Sequence, residues 1–561
     1  MISTSQQKRS ILICLYTLLL IALSIFLFWK CRYGYANADE TFFIAVPFRL
    51  CRGDSLFVHE WNPAQLFSFL LYPAVRLFLG FMGSTEGILL AFRYLFTISW
   101  ILCAIFIVYR FRFISLQGGM LASILFLLFT PSGIMALSYN SMGIMLVLAT
   151  CIILATAKTR IAFQHCIAGI LFAGAVLCCP YLVFLYLFFT IIIIILGIKK
   201  KWLIKEWLFF SFGCLILFVV FLLFLLNRAR LSDIIEALPQ LLKHPTHAYT
   251  PLHLQIYKFI KTILYCNSIF DWGLLFAVLT MIISRIVKDK FVGLAVLSLI
   301  VIALQVAFLV EDPFINHVMF PINIIAPFFL LHTSHYAKDL RNIFLTFWLP
   351  GALYTFCIFL SSDTGFFAIS AASSVMTVAT VIMLCKYLSG SFCEMKSRYT
   401  ACIIIVALTL LIGVQFGEEL WFRYSYVFWE DQGVRGQTVC AQSGPEKGIL
   451  MTPQRFKKYT ILEQDMSIIR SDSAIKNLLV LSSTSHGYLL ADKNMSTYSA
   501  WLGNVNDNSI SQLDTYFSMN PDKTPDGIFI EERYSKYIDH YLRDGYYHCE
   551  KMPSGAYLLK R

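Results

Sequence analysis

Long apolar runs are the feature that most constrains this chain. About thirteen segments are apolar over a length that crosses roughly 30 Å of hydrocarbon as a helix, and they are 11–29, 88–109, 118–136, 139–157, 161–178, 181–198, 203–226, 269–286, 291–310, 318–332, 341–360, 366–387 and 399–416. Only 14% of the residues are charged, against about 25% in an average soluble domain. This number of charged residues is too small to cover the surface of soluble domains. The sequence therefore predicts an all-α polytopic membrane domain over residues 1–416.

Lys and Arg in the short loops indicate the direction of the chain, because basic residues collect in cytoplasmic loops. Alternate loops carry them, at Lys8, Arg9, Arg110, Arg112, Lys158, Arg160, Lys199, Lys200, Lys201, Arg285, Lys288, Lys290, Lys338, Arg341, Lys386, Lys396 and Arg398. The intervening loops 137–138, 179–180, 311–317 and 361–365 carry none. The N-terminus is therefore predicted inside, with 11–29 as an uncleaved span. The net charge of +12 then follows from topology and does not imply a nucleic-acid partner.

Three longer segments are predicted on the outer side: a first loop 30–87, a second large loop 227–268 and the C-terminal segment 417–561. The last is richer in charge and contains two strand-like apolar runs at 478–481 and 528–530. We expect it to be an extracytoplasmic α/β domain that contacts the acceptor or covers the active site. It has no Gly-rich phosphate fingerprint.

The predicted spans contain few ionisable residues, notably Arg93, His165, Asp271 and His332. Intramembrane charges mark ion and substrate pathways, so their scarcity argues against a transporter. A lipid-linked sugar flippase or transporter remains the alternative function. Outside the spans, Cys31 with Cys51 and Cys440 with Cys549 are possible disulfides whose pairing a sequence cannot establish.

The first outer loop contains the best candidate chemistry. The acidic pair Asp39-Glu40 opens a stretch whose apolar residues recur at helical spacing, as in a helix lying in the membrane interface. A carboxylate there can act as a general base on an acceptor hydroxyl that attacks a sugar carbon. A lipid phosphate would be a good leaving group, needing positive charge or hydrogen-bond donors.

On these residues the chain resembles the GT-C superfamily of membrane glycosyltransferases, which includes the protein O-mannosyltransferases and the aminoarabinose transferases of lipid A. The resemblance is carried by Asp39-Glu40, Gly53-Asp54, Trp61-Asn62-Pro63, Arg93 and Asn316-His317-Val318-Met319-Phe320-Pro321. It implies a sugar donor on a polyprenyl phosphate and inversion at the anomeric carbon. Two positions differ: His317 stands where relatives have Arg, and Tyr139-Asn140-Ser141 stands where they often have an Asp.

The predicted roles follow from this pattern. Asp39 is the expected base, and Glu40 supports it or closes a capping box with Asn37. The predicted substrate-binding residues are Asp54, His59, Glu60, Arg93, Asn140, His244 and His317. All of them except Asn140 have a plainer interpretation: a solvated turn for the first three, a structural Arg, an interfacial His317 and a solvated loop around His244.

No cofactor is predicted, although a divalent metal at His59-Glu60 stays an alternative. The expected protein is a multi-pass glycosyltransferase of the plasma membrane. Its acceptor would be a glycan, lipid or protein of the cell envelope.

Overall fold

The computed structural model describes residues 4–158, 160–197, 201–241, 251–312, 314–332, 337–362, 364–391, 398–427, 432–543 and 548–561. The N-terminal part is helical, with α1 Thr4–Lys30, α2 Asn37–Cys51, α3 Ser68–Met82, α4 Ile88–Phe111, α5 Leu116–Leu128, α6 Tyr139–Thr156, α7 Ile161–Cys178, α8 Leu182–Gly197, α9 Lys201–Leu226, α10 Leu231–Leu241, α11 Leu252–Leu264, α12 Phe270–Val287, α13 Lys290–Glu311, α14 Ile315–Met319, α15 Ala326–Leu331, α16 Ala337–Ile343, α17 Leu349–Ser361, α18 Phe366–Ala372, α19 Ser374–Ser391 and α20 Arg398–Ser425.

The helical part matches the predicted class, a multi-pass membrane protein. Within the described ranges, eleven helices are long and apolar enough to cross a membrane, or twelve if the bent pair 366–390 is one span. Two predicted spans are shorter helices, Leu182–Gly197 and Asn316–Leu331. Large apolar side chains of α1, α8 and α9 are exposed, as expected where a helix faces lipid rather than water. Every predicted span thus has a helical counterpart.

One apolar helix was not predicted. Gln65–Met82 passes the same length and apolarity test, although it lies within the first predicted outer loop. Both of its ends contact the C-terminal domain: Trp61 N donates to Tyr498 O at 2.7 Å, and Thr85 Oγ1 donates to Leu489 O at 2.8 Å. Residues on both sides of this helix are therefore bonded to the C-terminal domain, and the alternation of the loops stays a prediction.

Helix α2 is packed by protein rather than exposed to the interface. Its residues from Glu40 to Leu50 are all buried, which corrects the prediction of an amphipathic helix lying in the membrane surface. The apolar residues of α2 recur at helical spacing, as the sequence indicated. The polar residues between them are also buried, because other parts of the protein pack against that side of the helix. Pro47 lies inside the helix, where its missing N–H removes one backbone hydrogen bond.

The C-terminal part is the predicted α/β domain. Its elements are β1 Val439–Cys440, β2 Leu450–Met451, α21 Pro453–Ser471, β3 Asn477–Leu481, α22 His486–Ala491, β4 Asn494–Met495, α23 Asp507–Met519, β5 Gly527–Ile530, α24 Ile538–Leu542, β6 His548–Lys551 and β7 Tyr557–Lys560. The main sheet has the order β4-β3-β5-β7-β6. Strands β3 and β5 pair in parallel, and β7 runs antiparallel to β5 and β6.

The two predicted apolar runs are confirmed as β3 and β5, the central strands. Both are buried on both faces, which explains their continuous apolar sequence. Met466 and Ile469 of α21 cluster with residues of one sheet face. Leu513 and Tyr516 of α23 cluster with residues of the other.

The first loop and the C-terminal domain join at one end of the helical part. Gly34 N donates to Leu450 O at 2.7 Å, and Gly87 N donates to Gly444 O at 2.9 Å. Gly34 has φ +56°, and a Cβ at this position would lie 2.2 Å from Val427 Cγ1, so only glycine fits. Helix α20 runs on to Ser425, past the boundary predicted at 416.

The cysteines within the described residues are all free thiols. The Sγ of buried Cys31 lies 3.1 Å from Thr97 Oγ1 instead of pairing with Cys51. Cys440 and Cys549 are likewise unpaired. Neither possible disulfide is formed in this structure.

Candidate active site

Asp39 lies in the first turn of α2, directly after the loop that leaves α1. Its side chain is half-buried and makes no hydrogen bond or ion pair with another side chain in the part of the chain described. Burial raises the pKa of its carboxyl to about 6, and the neighbouring Glu40 carboxylate adds to the rise. An unpaired carboxyl of this kind can accept a proton from an incoming group near neutral pH.

Glu40, unlike Asp39, is bound by other groups of the protein. Arg93 of α4 donates to both of its carboxylate oxygens, from Nε to Oε2 at 2.7 Å and from Nη2 to Oε1 at 2.6 Å. The Ala36 N–H also donates to Oε1 at 2.8 Å. This last bond caps the start of α2, as the plainer interpretation of Glu40 expected, although the cap residue is Ala36 rather than Asn37.

Arg93 is fully engaged inside the protein. Besides Glu40, its Nη1 donates to Cys31 O at 2.7 Å, so one guanidinium ties α4 to both α2 and the end of α1. The bidentate geometry is the strongest that Arg and a carboxylate form. Arg93 therefore binds the Glu40 carboxylate, and this fixes the first turn of α2, which carries Asp39.

The start of α6 lies beside Asp39. The Tyr139 ring is 5.7 Å from the Phe43 ring of α2, and the Asp39 carboxylate interacts electrostatically with Tyr139. Asn140 is hydrogen-bonded to the Tyr139 side chain. A capping box between Ser138 and Ser141 sets where α6 begins. The structure thus brings Asp39, Glu40, Arg93 and Asn140 together.

Asp54 and Glu60 lie elsewhere, in a buried network around Arg49. Arg49 Nε lies 2.6 Å from Asp54 Oδ2, and Nη1 lies 3.1 Å from Glu60 Oε2. Burial by itself raises the pKa of Asp54, but Arg49, His59 and Lys523 reverse this and hold that pKa below its ordinary value.

The Arg49 network joins the first loop to the C-terminal domain. Arg49 Nη2 donates to Thr497 O at 2.5 Å and to Tyr516 Oη at 2.9 Å. Ala500 N donates to Glu60 Oε2 at 2.9 Å, and Lys523 pairs with Asp54. These contacts give Asp54 and Glu60 a structural role between domains.

His59 is neutral at physiological pH. Burial lowers the pKa of its imidazole to about 4, and its Nδ1 accepts the Ser55 N–H at 2.9 Å. Because Glu60 is bound by Arg49, the two side chains do not converge on a common metal position. The described residues contain no group of three or more His, Cys, Asp and Glu suited to a metal ion.

His317 lies near the same end of the helical part as Asp39, in the short helix α14. Its Nδ1 lies 2.9 Å from Asp312 Oδ2, while its Nε2 has no hydrogen-bond partner among the described residues. The preceding Asn316 is fully buried, and within the same part of the chain neither polar atom of its side chain has a partner. His244, with Lys243 and His247, lies outside the described residues.

Sequence reasoning missed three buried charges at helix ends: Lys30, Glu419 and Arg423. The last two belong to the part of α20 that was assigned to the C-terminal domain. Glu419 precedes Arg423 by one helical turn, a spacing that favours a helix. This spacing is the feature of the sequence that could have predicted the longer helix. Lys30 was interpreted as the residue just beyond a span, where exposure is usual.

No protein family matches the chain, and no curated protein matches it in sequence. Among solved structures, it is similar to the archaeal oligosaccharyltransferase AglB from Archaeoglobus fulgidus, solved in complex with an inhibitory peptide and a dolichol-phosphate. The match covers 97% of this chain and 74% of AglB, with 11% identity and a TM-score of 0.48.

Proposed function

We propose that the chain is an integral membrane glycosyltransferase of the GT-C type. It transfers a sugar from a polyprenyl-phosphate donor to an acceptor hydroxyl at the outer face of the plasma membrane. The observation that carries the proposal is the contrast between the two carboxylates of the acidic pair. Arg93 binds Glu40 through two hydrogen bonds. Asp39 is half-buried and has no side-chain partner among the described residues, and the pKa of its carboxyl is raised to about 6. A carboxylate whose pKa is raised by burial and that has no side-chain partner among the described residues is a candidate for a functional site.

In the proposed reaction the acceptor oxygen attacks the anomeric carbon of the donor sugar. The bond from that carbon to the phosphate oxygen breaks, and its electron pair leaves with the lipid phosphate. Asp39 takes the proton from the acceptor hydroxyl as the new bond forms. Attack opposite the leaving group inverts the anomeric carbon. In this proposal Asn140 hydrogen-bonds the acceptor, and His317 Nε2, which has no partner among the described residues, binds a phosphate oxygen.

A groove between α7, α8 and α9 offers room for the polyprenyl tail. This open groove has a cavity volume of about 190 Å³, enough for a segment of such a tail, and its lining is almost entirely apolar. Phe221 at the groove packs against Phe69 with ring centroids 5.2 Å apart. Phe67 of the same segment contacts Phe43 of α2 at 6.0 Å, one turn from Asp39. An apolar chain in this groove would end near the acidic pair.

The direct test is donor consumption. Purified full-length protein in lipid nanodiscs is incubated separately with polyprenyl-phosphate sugars, each labelled in the sugar, and with acceptor extracts of the cell envelope. We expect one donor to be consumed, with release of polyprenyl phosphate and label on an acceptor of opposite anomeric configuration. Movement of an intact donor across vesicle membranes without consumption would contradict transfer and favour the flippase alternative.

The rate should also depend on pH through Asp39. A base with a pKa of about 6 is mostly protonated at pH 5 and mostly ionised at pH 7. We therefore expect kcat/KM to rise by roughly tenfold between these values and then level off. A pH profile measured at saturating and limiting donor checks this. A profile flat from pH 5 to 7 would mean that Asp39 is not the base.

A further inference from the structure

Helix α11, in the second large loop, has apolar and basic residues on separate sides. Apolar residues recur along it at helical spacing: Leu252, Ile256, Phe259, Ile260 and Ile263. This spacing places them along one face of the helix. Lys258 and Lys261 lie on the opposite side, and the helix contains no Asp or Glu. The pattern is typical of a helix that lies in the plane of a membrane surface.

One edge of this apolar face packs on the end of a membrane span. The Phe259 ring lies 5.0 Å from the Phe356 ring and 5.4 Å from the Phe359 ring. Both partners belong to α17, which ends at Ser361 together with the candidate span that contains it. Helix α11 therefore lies at the level at which α17 reaches the membrane boundary.

Two further spans have an end at the same level. A short connection joins α11 to Phe270, where the candidate span α12 begins. In this connection Ser268 N donates to Glu311 Oε2 at 3.1 Å, and Glu311 is the last residue of the span α13. Tyr265 and Trp272 are exposed on either side of this point, and Tyr and Trp concentrate at the level of lipid headgroups. Three span ends and two aromatic side chains thus indicate that α11 lies at the boundary between membrane and water.

The rest of the apolar face is exposed. Ile256 is 42% exposed and Ile260 is 51% exposed, and Leu252 and Tyr257 are exposed as well. No side chain of α11 is buried in the part of the chain described. At the depth of the headgroups such a face is covered by lipid acyl chains, because contact with water is unfavourable for apolar side chains.

The two lysines of α11 can reach lipid phosphates from the opposite side. Both are exposed, and neither forms an ion pair among the described residues. A Lys side chain is long enough to extend toward the headgroups while its helix stays at the boundary. The carboxylates at the adjoining span ends are hydrogen-bonded locally: Glu311 accepts two hydrogen bonds from Ser268, and Asp271 accepts the Trp272 N–H at 2.8 Å.

Helix α10 of the same loop provides a contrast. It carries Asp233 and Glu236 and no Lys or Arg. Its Ile234 and Ala237 are buried, and Ile234 clusters with residues of α2 and α9. The acidic helix of this loop therefore packs on protein, whereas the basic helix leaves most of its apolar face exposed beside the span ends.

We propose that α11 is an interfacial helix that binds phospholipids through its apolar face and through Lys258 and Lys261, with a preference for anionic headgroups. Its partner is the leaflet in which α12 begins and α13 and α17 end, which the predicted topology assigns to the outer side. Acyl chains cover the apolar residues, and the lysines attract negatively charged headgroups. The inference goes beyond the proposed sugar transfer and does not depend on it.

Lipid contact is measured with a tryptophan placed on each side of α11 in the full-length protein, reconstituted in lipid vesicles. Ile256→Trp lies on the apolar side and Lys258→Trp on the polar side. Phosphatidylcholine brominated on its acyl chains should quench the added fluorescence of Ile256→Trp at least about twofold more than that of Lys258→Trp. Aqueous acrylamide should show the reverse order. The wild-type protein, whose fluorescence is subtracted, is the reference.

The preference for lipid charge is measured with the Ile256→Trp protein. At equal lipid content, brominated phosphatidylglycerol should quench it about two- to fivefold more than brominated phosphatidylcholine, because Lys near a membrane surface attracts anionic lipid. Adding both Lys258→Gln and Lys261→Gln should make the two lipids quench equally. Lys457→Gln, which removes an exposed charge of α21, is the matched control and should leave the preference unchanged.

Quenching of Ile256→Trp by acrylamide but not by brominated lipid would overturn the proposal, because the face would then lie in water. Shielding from both quenchers would overturn it as well, because protein would then cover the face. Equal quenching by the two lipids before the lysines are replaced would contradict the anionic preference. Sugar transfer measured in the same variants bears only on the proposed reaction, so the two proposals fail separately.

Discussion

Replacing Asp39 with Asn is expected to lower sugar transfer by about 10²–10⁴-fold, the usual contribution of a general base. The amide has nearly the same shape but cannot take the acceptor proton. Because Glu40 and Arg93 hold α2 in place, the variant should retain its fold and its donor affinity. The measurement is kcat for the identified donor, with KM and membrane insertion determined in parallel.

The stability of the same variant gives an independent readout. The folded-state pKa of Asp39 is raised to about 6, so its ionisation destabilises the fold progressively as pH rises from the ordinary pKa of an Asp carboxyl to about 6, and the loss then levels off. Asp39→Asn should therefore raise Tm at pH 7.5 and raise it by clearly less at pH 4.5. Glu86→Gln, which removes one partner of an exposed pair with Lys447, is the matched control and should alter neither quantity. Wild-type activity in Asp39→Asn would remove Asp39 from the mechanism.

Replacing Arg49 with Met should destabilise the protein by about 3–5 kcal/mol, because it leaves Glu60 buried without its cation. It also removes the bonds to Thr497 O and Tyr516 Oη that hold the C-terminal domain. We expect a lower Tm and faster proteolytic cleavage between the helical part and the C-terminal domain. Thermal unfolding and limited proteolysis measure these two effects.

Arg52 offers a matched control at the same interface. It pairs with Asp492 across the same two parts of the chain, but both side chains are about one-third exposed. Arg52→Met should therefore cost about 0–1 kcal/mol. The double variant Arg49→Met with Glu60→Gln should be less unstable than Arg49→Met, because Asp54 keeps its pair with Lys523. Equal losses for Arg49→Met and Arg52→Met would show that the buried network does not hold the domain.

The predicted membrane spans were recovered because hydropathy is a local property. Each predicted run corresponds to a helix, even where α8 and the helix at 316–331 are short. The central strands of the C-terminal domain were found for the same reason. Gln65–Met82 was missed because Pro73 and Arg76 interrupt its apolar pattern, and packing against neighbours stabilises that helix.

The partners of the charged residues were not predictable. Glu40 and Arg93 are separated by 53 residues, and Arg49 and Tyr516 by 467. The role of the acidic pair stays a prediction, and only the fold shows that Glu40 is bound by Arg93 and that Asp39 is not. Substrate binding by Asp54 and Glu60 stays a prediction, and the sequence did not show that Arg49 binds both carboxylates.

The sequence by itself determined where the chain can enter a membrane and where it cannot, since about 30 Å of hydrocarbon requires long apolar helices whatever their neighbours. It also determined that an acidic pair follows the first helix. Only the tertiary structure decided that Arg93 neutralises Glu40 and leaves Asp39 unpaired, and that Lys30 and Arg423 are buried together. Burial and charge pairing depend on residues that are distant in sequence. The interactions that decide which side chains are buried and which charges are paired therefore form only when the chain is folded.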